Sequence, residues 1–137
     1  MMLLSIKKRA EFLEIGKDNT RFYSHTILLL AQKTPQKYLI NPATGKTDSF
    51  CRVGYTVTKK AGKAVIRNKI KRRYREAFRL LYKEYAQNHF DYIILCRREA
   101  PQADFKKLYN DLKFCFKGIN RLLKTQNDAK ENQENHN

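Results

Sequence analysis

KKAGKAVIRNKIKRRYREAFR, running from Lys59 to Arg79, is the stretch that decides both the fold and the partner. It carries ten Lys and Arg and one acid, Glu76. No Pro or Gly interrupts the chain from Ala64 until Pro101, and Ile66, Ile70, Tyr74, Ala77, Phe78 and Leu81 recur at helical spacing. At about 100° per residue those side chains fill one arc, while Arg67, Lys71, Arg75 and Arg79 run beside it four residues apart, with Asn68 and Arg72. The spacing predicts a long helix, apolar on one flank and cationic on the next.

A solvated helix face usually interleaves Glu with Lys, because like charges four residues apart cost roughly 0.2–0.5 kcal/mol per pair. This one stacks cation on cation. A polyanion removes that repulsion and gains from counterion release, so a phosphate backbone is the expected partner, with a merely solubilising face as the plainer alternative. Neither Gly62 nor Lys63 supplies a good side-chain cap. The helix start is therefore expected to offer free backbone N–H groups to a phosphate, or else to water, amid Lys59, Lys60 and Lys63.

Taken together, Lys59-Lys60, Gly62-Lys63-Ala64-Val65, Arg67-Asn68-Lys69-Ile70-Lys71-Arg72 and Arg75-Glu76 resemble the signature of the bacterial ribonuclease P protein subunit. That signature is a lysine pair, a short Gly turn, and an Arg-Asn-Arg helix followed by Lys-Arg and Arg-Glu. Lys69 departs from it, standing where the family usually has its second Arg; the charge is kept and the planar fork is lost. The resemblance covers residues 3–124. It implies a small α+β sandwich with a left-handed crossover, of the ribosomal protein S5 domain 2-like kind. It also implies an endoribonuclease that is a ribonucleoprotein, whose RNA subunit performs the Mg²⁺-dependent removal of the 5′ leader of precursor tRNA and binds most of the Mg²⁺. The protein would bind the leader and stabilise the catalytic RNA. Its first helix would wall a leader cleft, with Phe12 on an aromatic position of that wall; Gly16 stands where a bulky residue is more frequent and Asn19 where a Gly is common.

The 137 residues and formal net charge of +16 suit one domain with nucleic acid as its leading partner class. A membrane surface would call for bulky apolar residues facing lipid opposite a polybasic face. No apolar run nears the roughly 20 residues of a spanning helix, and Met1 to Ile6 is too short for a signal-peptide core, so a cytoplasmic protein is expected. Cys51, Cys96 and Cys115 share no CxxC spacing and read as small buried hydrophobes. His25, His89 and His136 fall into no ligand pattern, and no intrinsic metal or cofactor is expected.

Ser5 reads as the cap of a short helix over Ile6 to Gly16, and Arg21 to Gln32 as a strand whose ILLL run suggests burial on both faces. In the connection 33–49, Lys37 to Ile40 either extends that strand or belongs to an insertion. Phe50 to Thr58 alternates as a strand, and Gly54 leaves room there for a backbone or a nucleotide. The basic helix runs on through Tyr85, Asn88-His89 breaks it, and Phe90 to Cys96 reads as a buried strand ended by Arg97-Arg98. Pro101 and Asp104 open a last helix with an apolar stripe from Phe105 to Leu123, which tolerates Gly118 at about 1 kcal/mol. The expected order is α-β-β-α-β-α with three or four strands, residues 1–124 forming the domain and 125–137 a disordered tail.

No histidine pair, carboxylate cluster or activated nucleophile emerges, so no catalytic residue is assigned to the chain itself. Asp91, Asp104 and Asp111 read as caps or surface acids. The residues expected to contact RNA, mostly through phosphates, are Lys59, Lys60, Lys63, Arg67, Asn68, Lys69, Lys71, Arg72 and Arg75. Phe12 reads equally as core or as a base-stacking residue of the leader cleft. The partners expected are the catalytic RNA and precursor tRNA, with no membrane and no obligate protein partner. A ribosomal or other structural RNA-binding protein is the first alternative; a DNA-binding helix and a metal-dependent nuclease follow it.

Overall fold

Two apolar stretches, Phe50–Thr56 and Phe90–Cys96, become adjacent parallel strands, and the basic helix is the crossover between them. The computed structural model describes residues 1–7, 9–14, 19–40 and 44–134. Along the chain these form β1 (Met2–Ser5), α1 (Arg9–Glu14), β2 (Thr20–Tyr23), β3 (Ile27–Lys33), β4 (Phe50–Thr56), α2 (Ala64–Tyr85), β5 (Phe90–Cys96) and α3 (Phe105–Glu134). The sheet has the order β1-β4-β5-β3-β2, with β1, β4 and β5 parallel to one another and β3 antiparallel to both β5 and β2.

Alternation along the strands gives the sheet two different faces. Ile27, Leu29, Cys51, Val53, Tyr92 and Ile94 point to one side, where Tyr74, Phe78 and Leu81 of α2 and Leu108, Leu112 and Phe116 of α3 pack on them. Phe78 and Phe116 lie 5.3 Å apart between ring centres, and both contact Tyr92, at 5.8 Å and 5.4 Å. Tyr74 spans the layer and donates its hydroxyl to the Thr26 carbonyl at 2.6 Å. Burial pushes the thiols of Cys51 and Cys115 up to about 12 and about 11, as befits small residues of a dry core.

Three expectations are corrected. The sheet has five strands instead of three or four. Met2–Ser5 is a strand rather than the lead-in to a helix, and Ser5 pairs with Val53 instead of capping; the signal for it lies some fifty residues away in its partner β4, so no local pattern discloses it. The run Arg21–Gln32 is two strands of a hairpin, turned at His25-Thr26, where Ser24 N–H donates to the Ile27 carbonyl at 2.8 Å. That turn contains none of the Gly, Pro or Asn that usually marks one. Within the expected first helix, Ile6 still donates to Val53 and α1 begins only at Arg9; Gly16 lies outside the described residues.

The last helix also runs further than expected, to Glu134, through residues 125–134 that were read as disordered. No Pro or Gly stops it after Gly118, and Ala, Gln, Glu and Lys are good helix formers. Asp104 is its cap as read, accepting from Lys107 N–H at 2.8 Å. Gly118 has a packing reason that its sequence context hides: a Cβ there would lie 2.5 Å from the Phe22 ring. Gly118→Ala is therefore expected to destabilise the fold by about 1–2 kcal/mol net, overpacking outweighing the helical preference for Ala, as read from thermal unfolding.

Candidate nucleic-acid interface

Because β4 and β5 are parallel, with Thr56 opposite Leu95, the chain leaves both strands at the same edge of the sheet. From β4 it passes Thr58 into a 3-10 turn at Lys59–Ala61 and then Gly62, whose φ of 137° is one that side-chain-bearing residues rarely adopt. Lys63 then starts α2 through its backbone alone: Arg67 N–H donates to its carbonyl at 3.0 Å, and no side chain caps the helix. The sequence thus delivers two lysines, a forced turn and an uncapped 22-residue helix to one place.

α2 buries Ile70, Tyr74, Ala77, Phe78, Leu81 and Tyr82, and turns the cationic flank outward. Lys59, Lys60, Lys63, Asn68, Lys69, Arg72 and Arg75 are exposed, and Arg67 and Lys71 are half-buried. Among the described residues none of these eight cations forms an ion pair with an acid. Arg75 lies over Tyr55, 5.9 Å from the ring centre, and Arg67 Nε is a buried donor with no partner. The two arginines of the same helix that were not expected to touch RNA are both occupied within the fold. Arg73 donates to the Ala103 carbonyl at 2.7 Å, and Arg79 grips Glu76 at 2.6 Å and 3.1 Å, which lowers the pKa of that glutamate.

The other sheet face is covered only in part. Phe12 packs there with Ile6, Ile93, Leu30 and Leu95, and a Cβ on Gly54 would stand 2.6 Å from its ring. Gly54 thus makes room for an aromatic ring, where a backbone or nucleotide was expected. Asn19 accepts from Arg21 Nε at 3.2 Å. Gly54→Ala is expected to push Phe12 off the sheet, lowering the unfolding temperature by overpacking and weakening binding of single-stranded RNA; unchanged affinity in the folded variant would separate Phe12 from that role.

One end of this face is pinned by buried charge. Arg52 donates to Asp91 through Nε at 2.8 Å and Nη2 at 2.5 Å, and through Nη1 to Glu11 of α1 at 3.4 Å. Thr34 adds a hydroxyl to Asp91 at 2.8 Å, and Tyr38 lies 4.5 Å beneath the guanidinium. Burial alone would lower the pKa of Arg52, but the bonds and charge of Asp91 and Glu11 outweigh it and hold it above the ordinary value. Asp91 is wholly buried and Asp111 is 7% exposed, so neither is the surface acid expected. The connection 33–49 acts here too, through Tyr38 of a 3-10 turn at Gln36–Tyr38; Asn41, Pro42 and Ala43 lie outside the described residues.

A sequence model of the family Ribonuclease P matches residues 3–120.

The chain belongs to that family.

It is 36% identical over 110 residues to the ribonuclease P protein component of Brucella melitensis, covering 80% of this chain and 75% of the relative. The structure of the Staphylococcus aureus RNase P protein superposes with a TM-score of 0.66 at 28% identity, covering 82% of this chain and 92% of that one. That of Thermotoga maritima gives 0.63 at 27%, covering 79% and 90%. Membership places the chain in the ribonuclease P complex, and the family's function is maturation of the 5′ end of tRNA.

Two basic residues stand outside the expected RNA-contacting set. Arg97 and Arg98 leave β5 at the same edge and share with Lys60 and Thr58 a pocket of about 520 Å³. The signal was present, since twin arginines at the end of a strand parallel to β4 must emerge beside the lysine pair. Among the described residues no group of three or more His, Cys, Asp or Glu is placed to hold a metal ion. Asp91 is saturated by Arg52 and Thr34, and Asp111 by Thr26 and Lys107.

Proposed function

We propose that the chain is the RNA-binding subunit of a bacterial-type ribonuclease P. Lys59, Lys60, Lys63, Arg67, Lys69, Lys71, Arg72 and Arg75 seat on phosphates of the catalytic RNA, and Asn68 donates to its backbone. The half-open sheet face beside Phe12 holds the 5′ leader of precursor tRNA. Hydrolysis belongs to the RNA, whose own groups hold the Mg²⁺, and the complex works in the cytoplasm.

The observation that carries this reading is the ridge itself: eight cations without acidic partners among the described residues, beside an uncapped helix start. Self-repulsion of that kind is relieved when phosphates replace counterions. β4 links the two halves of the reading, since it carries the Phe12 seat at Gly54 and the chain leaving it reaches the lysine pair five residues later, within about 18 Å of chain reach. The test is reconstitution. Added to a bacterial ribonuclease P RNA at low Mg²⁺, the chain should accelerate leader removal from precursor tRNA, and more so for substrates with a leader of several nucleotides. An unchanged cleavage rate would assign it to structural RNA binding without a processing role, and cleavage by the protein alone would contradict RNA catalysis.

A further inference from the structure

Across the sheet from the ridge, at the β2 edge, two large aromatic side chains stand in solvent. Tyr23 is 66% exposed and Phe114 is 50% exposed. Phe22, between them in the fold, is held inward by the gap at Gly118 and meets Phe114 at a ring-centre distance of 5.3 Å, tilted by 58°. Together with Arg21, His25 and Lys107 they line a concavity of about 720 Å³. Arg97 stacks over the Tyr23 ring at 4.8 Å and is itself fixed by a 2.7 Å bond to the Ser24 carbonyl.

We propose that this concavity is a second RNA site, which takes a base of an unpaired strand against Tyr23 and Phe114 while Arg21 and Arg97 meet the adjoining phosphates. It adds to the function proposed above and rests on it only in taking RNA as the partner class. Apolar walls alone would suit a peptide as well, but the rim is cationic. The one acid lining it, Asp111, is turned inward and held by Thr26 at 2.7 Å and Lys107 at 3.1 Å, so it presents no free negative charge to a phosphate. Exposed aromatic faces beside fixed arginines are what a single strand uses, because every base can stack. Arg97 also links the site to the ridge, since it lines the pocket that contains Lys60 and Arg98. A strand passing the lysine pair would reach Tyr23 across Arg97.

Tyr23→Leu and Phe114→Leu keep apolar bulk at exposed positions and remove only the aromatic face, so both variants should fold with unchanged unfolding temperature. Binding of fluorescein-labelled eight-nucleotide oligoadenylate and oligouridylate to the full chain should weaken about tenfold in each, the purine strand more. A strand carrying 5-iodouridine should crosslink to Tyr23 or Phe114. Unchanged affinities, or crosslinks confined to Phe12 and α2, would overturn the proposal. So would a variant that binds the oligonucleotides normally but loses self-association in sedimentation, which would make the patch a protein contact. The oligonucleotide readout needs no catalytic RNA: a chain that fails to accelerate ribonuclease P RNA yet loses oligonucleotide affinity in Tyr23→Leu keeps this site and loses the processing role.

Discussion

Asp91→Ala is expected to lower the unfolding free energy by about 3–5 kcal/mol, the largest single-residue loss outside the aromatic core. The substitution leaves the Arg52 guanidinium, 8% exposed, without the carboxylate that meets two of its nitrogens. Thr34 loses its acceptor in the same step. Most of the cost is the stranded charge rather than the missing attraction, and that makes a control available. The double variant Arg52→Met with Asp91→Leu should recover most of the loss, since well-packed apolar residues replace buried ion pairs at little cost. Urea unfolding of the three chains would show it. A single variant within 1 kcal/mol of the parent, or a double variant no better than the single, would contradict the role assigned to the cluster. Because Glu11 ties α1 to Arg52, the single variant should also loosen the wall that carries Phe12.

Removing Arg67, Lys71 and Arg75 together, each to alanine, should weaken binding to a bacterial ribonuclease P RNA on the order of a hundredfold at roughly 0.15 M salt. One phosphate contact contributes a salt slope of about 0.7–0.9, which is nearly fivefold per contact at that concentration. The geometry supplies its own controls. Arg73→Ala and Arg79→Ala each remove the same charge, yet these side chains are occupied by Ala103 and Glu76. Arg73→Ala should cost stability, since the Ala103 carbonyl loses its partner, and Arg79→Ala should cost little of anything. RNA affinity close to parental is expected for both. If all five substitutions weakened RNA binding alike, net charge and not the ridge would be responsible.

The ridge was legible because its signals are local: helical spacing, stacked cations and the absence of a cap all lie within Lys59 to Arg79. β5 and the Asp104 cap were legible for the same reason. What the sequence hid was pairing at a distance. β1 exists because Leu3 and Leu4 find Cys51 and Arg52, and neither stretch announces the other. Asp91 read as a cap or surface acid, and nothing near Arg52 in the sequence points to a partner; only the parallel register of β4 on β5 sets the two opposite one another, with Tyr38 against the guanidinium. Gly54 and Gly118 looked like a gap and a defect, and the rings that fill them, Phe12 and Phe22, come from the first 22 residues of the chain. The ILLL run was half right: Ile27 and Leu29 are wholly buried, but Leu28 and Leu30 are half-open on the Phe12 side.

The most direct test of the central claim, that the ridge exists to be neutralised by RNA phosphates, is the salt dependence of the chain's affinity for a bacterial ribonuclease P RNA. With about six phosphates engaged, log affinity should fall against log salt with a slope of roughly 4–5, and Arg67→Ala should reduce that slope by about one. A slope near zero, unchanged by Arg67→Ala, would show that the cations of α2 serve something other than nucleic acid.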